Sequence, residues 1–343
     1  MAQTQAAAGG SEGLVVLTPD VEKPFVDIVF VHGLNGNRFT TWTKASIMWP
    51  RDILSKDEGM EKARISTWGY NSDIVRFWTQ TPEQDIDCYS RDLCSDLSAK
   101  RKETNTEEVP IIFVMHSLGG LVCEEALLLG RVHPDEPVKM IGEHTRGMVF
   151  LGTPHGGSDL ASWANIGLSF AKLFKRLNNR NVKLLMKDSE KLAKIGEAFP
   201  LVLADRANAP ETKIMVACFY ETLPMDHVGI IVEEKSATLA GYRKSSIPQD
   251  HSEMCKFTHA EDVGYTRVRG ILRQIIEKLK PSTEKKPEAR QVTGYVYAES
   301  VYGVAAGVNE AQILQRDFTF NIGPKPPTTQ PAPRAEEDPV DKW

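Results

Sequence analysis

One stretch of this chain, IIFVMHSLGGLVCEEAL (residues 111–127), restricts its fold more than any other. It begins as a continuous apolar run, the pattern of a strand buried on both faces, and passes at once into a helical pattern. Ser117 stands at the join. A strand that turns directly into a helix lifts the residue between them on a strained turn at the carboxyl edge of a sheet. The plain alternative is a serine that only caps the helix.

The rest of the chain fits such a sheet. Short apolar runs alternate with longer helical patterns: VDIVFVHG, ARISTWGY, a helix through IDCYSRDLCSDLSA, VPIIFVMH, a helix from LGGLVCEEALLLG, RGMVFLGTP, a long helical stretch, KIMVACFYE, and a last helix near YTRVRGILRQIIEKLK. Alternation of this kind predicts an α/β fold with a mostly parallel central sheet and helices on both faces. The helical stretch from about Leu160 to Phe199 is longer than a simple crossover and is expected either as a cap over a cleft, at about 160–200, or as a pair of packed surface helices. The expected organisation is a flexible N-terminus over 1–22, one folded domain over 23–280, and a linker with a low-order tail over 281–343, where the composition turns charged and proline-rich.

Composition narrows the function class. The 343 residues carry a net charge of −5 with no basic stripe, which argues against nucleic acid as a partner and leaves small molecules, proteins and peripheral membrane contact. Five cysteines (Cys88, Cys94, Cys123, Cys218 and Cys255) are scattered without a disulfide framework or zinc spacing, so they read as reduced thiols with no metal or cofactor expected. No secretory or transit signal and no bilayer-length apolar run is evident, so a cytoplasmic protein is expected.

The residues that carry chemistry centre on Ser117. The usual elbow motif is G-x-S-x-G; here the run is Met115-His116-Ser117-Leu118-Gly119, with methionine where the first glycine belongs. The run His32-Gly33-Leu34-Asn35-Gly36 after an apolar strand looks like the loop that supplies half of an oxyanion hole. The expected donors are then the backbone amides of Leu34 and Leu118. A serine hydroxyl needs a base. His251, in PQDHSEMCKF, has the position expected for the order Ser, acid, His, and His155, in GTPHGGSD, is the alternative. The acid should follow KIMVACFY, which makes Glu221 the first candidate and Asp226 its competitor.

Together the stretches VDIVFVHGLNGN, STWGYNSD, HSLGGLV, VFLGTPHGGSDLASWA, CFYETLP and IPQDHSEMCKF resemble the α/β-hydrolase family, in particular a serine esterase-like and lipase-like branch. That branch includes the N-terminal hydrolase domains of fungal NOD-like receptors and related lipid-remodelling esterases. The resemblance implies Ser117 as nucleophile, His251 as base, Glu221 as acid, and cleavage of a carboxylic ester, a lipid ester among the expected substrates, through an acyl-enzyme. The alternative function is an effector or interaction module in fungal receptor signalling with weak or lost catalysis. No G-x-x-x-x-G-K-[ST] run is present. In the tail, NEAQILQRDFTFNIG (309–323) resembles the short amyloid motifs that some fungal effectors share with receptor partners, which implies self-assembly or a NOD-like receptor partner through 295–323; a docking strand or a plain linker are the alternatives. Overpacking by Met115 is expected to displace the helix start and slow the enzyme.

Overall fold

The computed structural model describes residues 11–72, 82–156, 160–174 and 179–280. The segment 295–323 and the rest of the expected tail lie outside the described residues. Apart from a two-stranded ribbon of Thr43–Lys44 and Ile47–Met48, the described strands form one sheet whose members we number β1 (Gly13–Val16), β2 (Val26–Val31), β3 (Ala63–Gly69), β4 (Ile111–His116), β5 (Thr145–Leu151), β6 (Met215–Glu221) and β7 (Arg243–Ile247). Their spatial order is β1-β3-β2-β4-β5-β6-β7. Every neighbouring pair is parallel except β1 with β3. Strand order, parallel pairing and the elbow after β4 make this an α/β-hydrolase fold.

Parallel neighbours need crossovers, and long helices supply those from β3 to β4, β4 to β5 and β5 to β6, with one more long helix after the last strand. They are α1 (Pro82–Glu103), α2 (Gly119–Val132), α3 (Glu136–His144), α4 (Leu160–Phe174), α5 (Asn179–Ala207) and α6 (Val263–Leu279). Strands β2 and β4 are buried at every position, so they read as apolar runs apart from Asp27, which is paired with Arg64 and Arg101, and the terminal His116. Successive side chains alternate between the two faces. Ile28, Phe30, Ile112 and Val114 join the core with Val268, Leu272 and Ile276 of α6. Val29, Val31, Phe113 and Met115 join the opposite core with Leu93 and Leu97 of α1, Val122 and Ala126 of α2, and Phe199 and Leu203 of α5.

Three expectations need correction. Residues 13–16 are not part of a flexible terminus: they form the antiparallel edge strand β1, Gly13 opposite Gly69 and Val16 opposite Ser66. The apolar stretch 14–17 is short and stands between small, polar neighbours, which is too little pattern to announce a strand. The last strand is not KIMVACFY but Arg243–Ile247, an edge strand whose charged sequence RKSSI hides it. Nor does the second helix of the 160–200 region stop at its expected end. It continues through Pro200 to Ala207, and its second half packs against the sheet through Phe199 and Leu203.

Among the described residues, no helix is long and apolar enough to cross a membrane.

Candidate active site

Because β2, β4 and β6 are parallel, their carboxyl ends share one edge, where ligands of open α/β sheets bind. His32, Ser117 and Glu221 lie at those ends, and His251 follows β7 by four residues. Ser117 has φ +54°, a left-handed conformation that side-chain-bearing residues rarely adopt and that a surrounding structure must hold. Its amide donates to the Leu151 carbonyl at 2.9 Å, and its own carbonyl accepts from the Gly120 amide at 3.1 Å and from Thr153 Oγ1 at 2.9 Å.

The structure brings Ser117, His251 and Glu221 together. Ser117 Oγ is 3.1 Å from His251 Nε2, and His251 Nδ1 is 2.5 Å from Glu221 Oε2. The second oxygen of Glu221 accepts the amides of Ile231 at 2.5 Å and Val232 at 3.2 Å. A buried carboxylate is thus given three donors, which keeps its charge tolerable and its direction fixed. Asp226, the competing acid, is exposed on the following turn.

The loop after β2 lies against the serine. A Cβ on Gly33 would come within 2.6 Å of Ser117 Cβ, so only glycine permits this approach. Among the described residues, the amides of Leu34 and Leu118 have no protein acceptor. Ser117 sits at the N-terminus of α2, where the helix dipole favours negative charge. His32 is held neutral: burial lowers its pKa to about 4, Nδ1 donates to the Gly33 carbonyl and Nε2 accepts the Tyr70 amide.

His116 has a role the sequence reading missed. Its Nε2–H donates to the His251 carbonyl at 2.8 Å, tying the elbow to the backbone of the candidate base. Burial, with the neighbouring His251 adding, lowers its pKa to about 3 and keeps it a neutral donor. A residue next to the nucleophile points away from it on such a turn, and nothing in sequence says what it then meets. His155 lies elsewhere, with Nδ1 2.8 Å from Glu124 Oε1.

The site is covered. Ser117 and His251 are each 2% exposed, and the Phe170 ring of α4 stands edge-on to His251 at 5.6 Å between centroids. An apolar cluster of Leu34, Leu118, Leu121, Trp163, Ile166 and Phe170 joins the elbow and the oxyanion loop to α4. Met115 is fully buried within the opposite core, and α2 begins at Gly119, two residues after the serine.

A family model described as "Putative serine esterase (DUF676)" matches residues 26–197, half of the chain. The match includes the loop after β2 and Ser117 but ends before Glu221 and His251. Protein SERAC1 of Bos taurus is 27% identical over 292 residues, covering 78% of this chain and 42% of that protein. For Protein SERAC1 of Danio rerio the identity is 26%, over 71% of this chain and 39% of that protein. The chain therefore spans about two fifths of the length of these curated relatives. Among solved structures, a fungal esterase from Rhizomucor miehei is 12% identical, covers 77% of this chain and 79% of its own, and gives a TM-score of 0.46. One of two metagenome-derived lipolytic enzymes, LipS and LipT, is 12% identical over 77% of this chain and 98% of its own, with a TM-score of 0.39. Such scores add nothing to the fold assignment, which rests on strand order. The chain belongs to the family so described, DUF676.

Proposed function

We propose that this member of the serine esterase family cleaves a carboxylic ester with an apolar acyl chain, a lipid ester, through an acyl-enzyme on Ser117. The observation that carries the reading is the continuous line from Ser117 Oγ through His251 to Glu221, at 3.1 and 2.5 Å. His251 Nε2 takes the serine proton as Oγ bonds to the ester carbonyl carbon. Glu221 holds the Nδ1–H tautomer and stabilises the imidazolium that forms. The negative carbonyl oxygen is received by the Leu34 and Leu118 amides at the positive end of α2. Collapse of the tetrahedral intermediate expels the alcohol, which takes the proton from His251. Water, activated by His251, then attacks the acyl-enzyme and releases the acid.

An apolar acyl chain fits the surroundings of the serine. An apolar cluster joins the elbow to α4, and two exposed leucines, Leu168 and Leu223, lie two positions from Phe170 and Glu221 in the chain. Substrate must displace part of this cover, and a long acyl chain replaces apolar contacts with apolar contacts. A series of p-nitrophenyl esters from acetate to decanoate tests this, with Ser117→Ala as control. We expect kcat/KM to rise with chain length; a maximum at acetate would remove the lipid assignment, and equal rates in Ser117→Ala would remove the mechanism.

A further inference from the structure

His155 has a carboxylate of its own, and the proposed reaction uses neither. It lies in the loop after β5, paired with Glu124 of α2, and both side chains are buried. The Phe150 ring stands edge-on to the imidazole at 4.6 Å between centroids. Neither oxygen of Glu124 and neither ring nitrogen of His155 has a hydrogen-bond partner among the described residues, so the two meet at 2.8 Å as a close polar contact without hydrogen-bond alignment. Burial alone would lower the His155 pKa, but the Glu124 carboxylate, with the Cys218 thiol adding, outweighs it and pushes the pKa up to about 9. Burial raises the Glu124 pKa as well, opposed by the charge of His155.

A buried ion pair is a poor source of stability, because desolvation offsets most of the attraction and apolar side chains of similar volume often do better. What it adds is a required distance and direction. Gly120 and Glu124 are four residues apart on α2, about 6 Å of axial rise. Thr153 and His155 are two residues apart in the loop, about 6.6 Å where the chain is extended. A Cβ on Gly120 would meet Thr153 Oγ1 at 2.3 Å, and Glu124 meets His155, so helix and loop engage at two successive points with matched spacing. The first of these points touches the nucleophile, since Thr153 Oγ1 donates to the Ser117 carbonyl. The same loop passes beneath the candidate base: a Cβ on Gly152 would be 3.0 Å from His251 Cε1. The His155 amide also donates to the Ser236 carbonyl at 2.5 Å, in the segment whose Ile231 and Val232 amides hold Glu221.

We propose that Glu124 and His155 are positioning residues: their ion pair locks the 152–156 loop in register with α2, and so fixes the Thr153 hydroxyl on the Ser117 carbonyl and the loop backbone beneath His251. Neither side chain reaches the reacting atoms. Loss of the pair lets the loop slip, and a misplacement of about 1 Å costs up to about 100-fold in rate. The inference rests on Ser117 being the nucleophile.

The test uses the full chain and three variants: Glu124→Gln, the apolar double variant Glu124→Met/His155→Phe, and Thr153→Val. For each, kcat and KM on p-nitrophenyl butyrate, Tm, and the rate of fluorophosphonate labelling are measured. The expected result is kcat lower by about 10- to 100-fold in the first two, KM within about twofold, and labelling slowed in parallel. The double variant keeps the parent Tm, and Thr153→Val reproduces part of the kcat loss. Parent-level kcat in the double variant, or in Glu124→Gln with a lowered Tm, would reduce the pair to a packing element. A change in KM alone would move it to substrate binding, and parent-level kcat in Thr153→Val would remove the route through the serine carbonyl. If Glu124→Gln does not fold, the other two variants decide. A parent chain inert to the probe would sink the Ser117 reading and this inference with it, whereas a reactive parent with equally reactive variants would sink the inference alone.

Discussion

Two buried imidazole–carboxylate pairs stand near the same serine, and their difference is not in the pair itself. His251 and Glu221 are 2.5 Å apart; His155 and Glu124 are 2.8 Å apart. What differs is what completes each. Glu221 is also held by two backbone amides, and His251 presents its free nitrogen to a hydroxyl. Glu124 has no such donors, and His155 faces Phe150 and Cys218. A carboxylate anchored by backbone can direct a proton acceptor, whereas one anchored only by its imidazole can do no more than hold two segments together. Proximity of histidine and carboxylate therefore does not identify a base; the third partner does.

The comparison breaks most sharply at the serine pair. Ser117→Ala and His251→Ala should each lower kcat on activated esters by about 10⁴-fold or more with the fold intact, because the two act as one proton-transfer unit. Circular dichroism and steady-state kinetics check both halves of that statement. Substantial turnover in His251→Ala would hand the role of base to the other pair. Next in size is the acid: Glu221→Gln should cost about 10³–10⁴-fold through the wrong imidazole tautomer, while Asp226→Asn, at an exposed position, should leave kcat within about twofold. The reverse ranking would reassign the carboxylate.

Met115 sharpens the comparison from the other side of the sheet. It pairs in register with Phe150, the ring that stands against His155, and is fully buried. Restoring the usual glycine should therefore lower stability by about 2–5 kcal/mol, as for removal of a buried methionine side chain, without raising kcat. Denaturant unfolding and kinetics of Met115→Gly measure both. A faster enzyme would mean that the methionine strains the elbow after all.

The smallest expected effect is on stability against pH. The folded-state pKa of His155 is raised from 6.5 to about 9, so its contribution is complete below pH 6.5 and is lost as pH rises through 9. Tm should fall over that window in the parent relative to Glu124→Gln, and parallel curves for the two would show that the pair is not ionic.

How much of this was legible follows from where each residue stands. Ser117, Glu221 and His251 each follow an apolar run or the position set by chain order, so a strand end marks them. Leu34 and Leu118 were named from the sequence as backbone positions, because the loop and the elbow point to their amides whatever their side chains. Glu124 was not, since a glutamate in a helical pattern reads as part of a solvated face. His155 was visible as a histidine near the site, but its partner lies 31 residues earlier on another element, and such a pairing is made only by packing. Strands β1 and β7 escaped because edge strands need only one side buried, and Gly13–Val16 and Arg243–Ile247 carry short or charged sequences. At Met115 the sequence shows a departure from the usual glycine but not the room between strand and helix, which depends on residues far apart in the chain.

The most direct measurement is intact-mass and peptide-mapping analysis of the full chain after treatment with a fluorophosphonate probe, run beside Ser117→Ala and His251→Ala. We expect one adduct on the parent, located at Ser117, absent in Ser117→Ala and strongly slowed in His251→Ala. An unmodified parent, or an adduct that persists in Ser117→Ala, would mean that the line from Ser117 through His251 to Glu221 does not activate the serine.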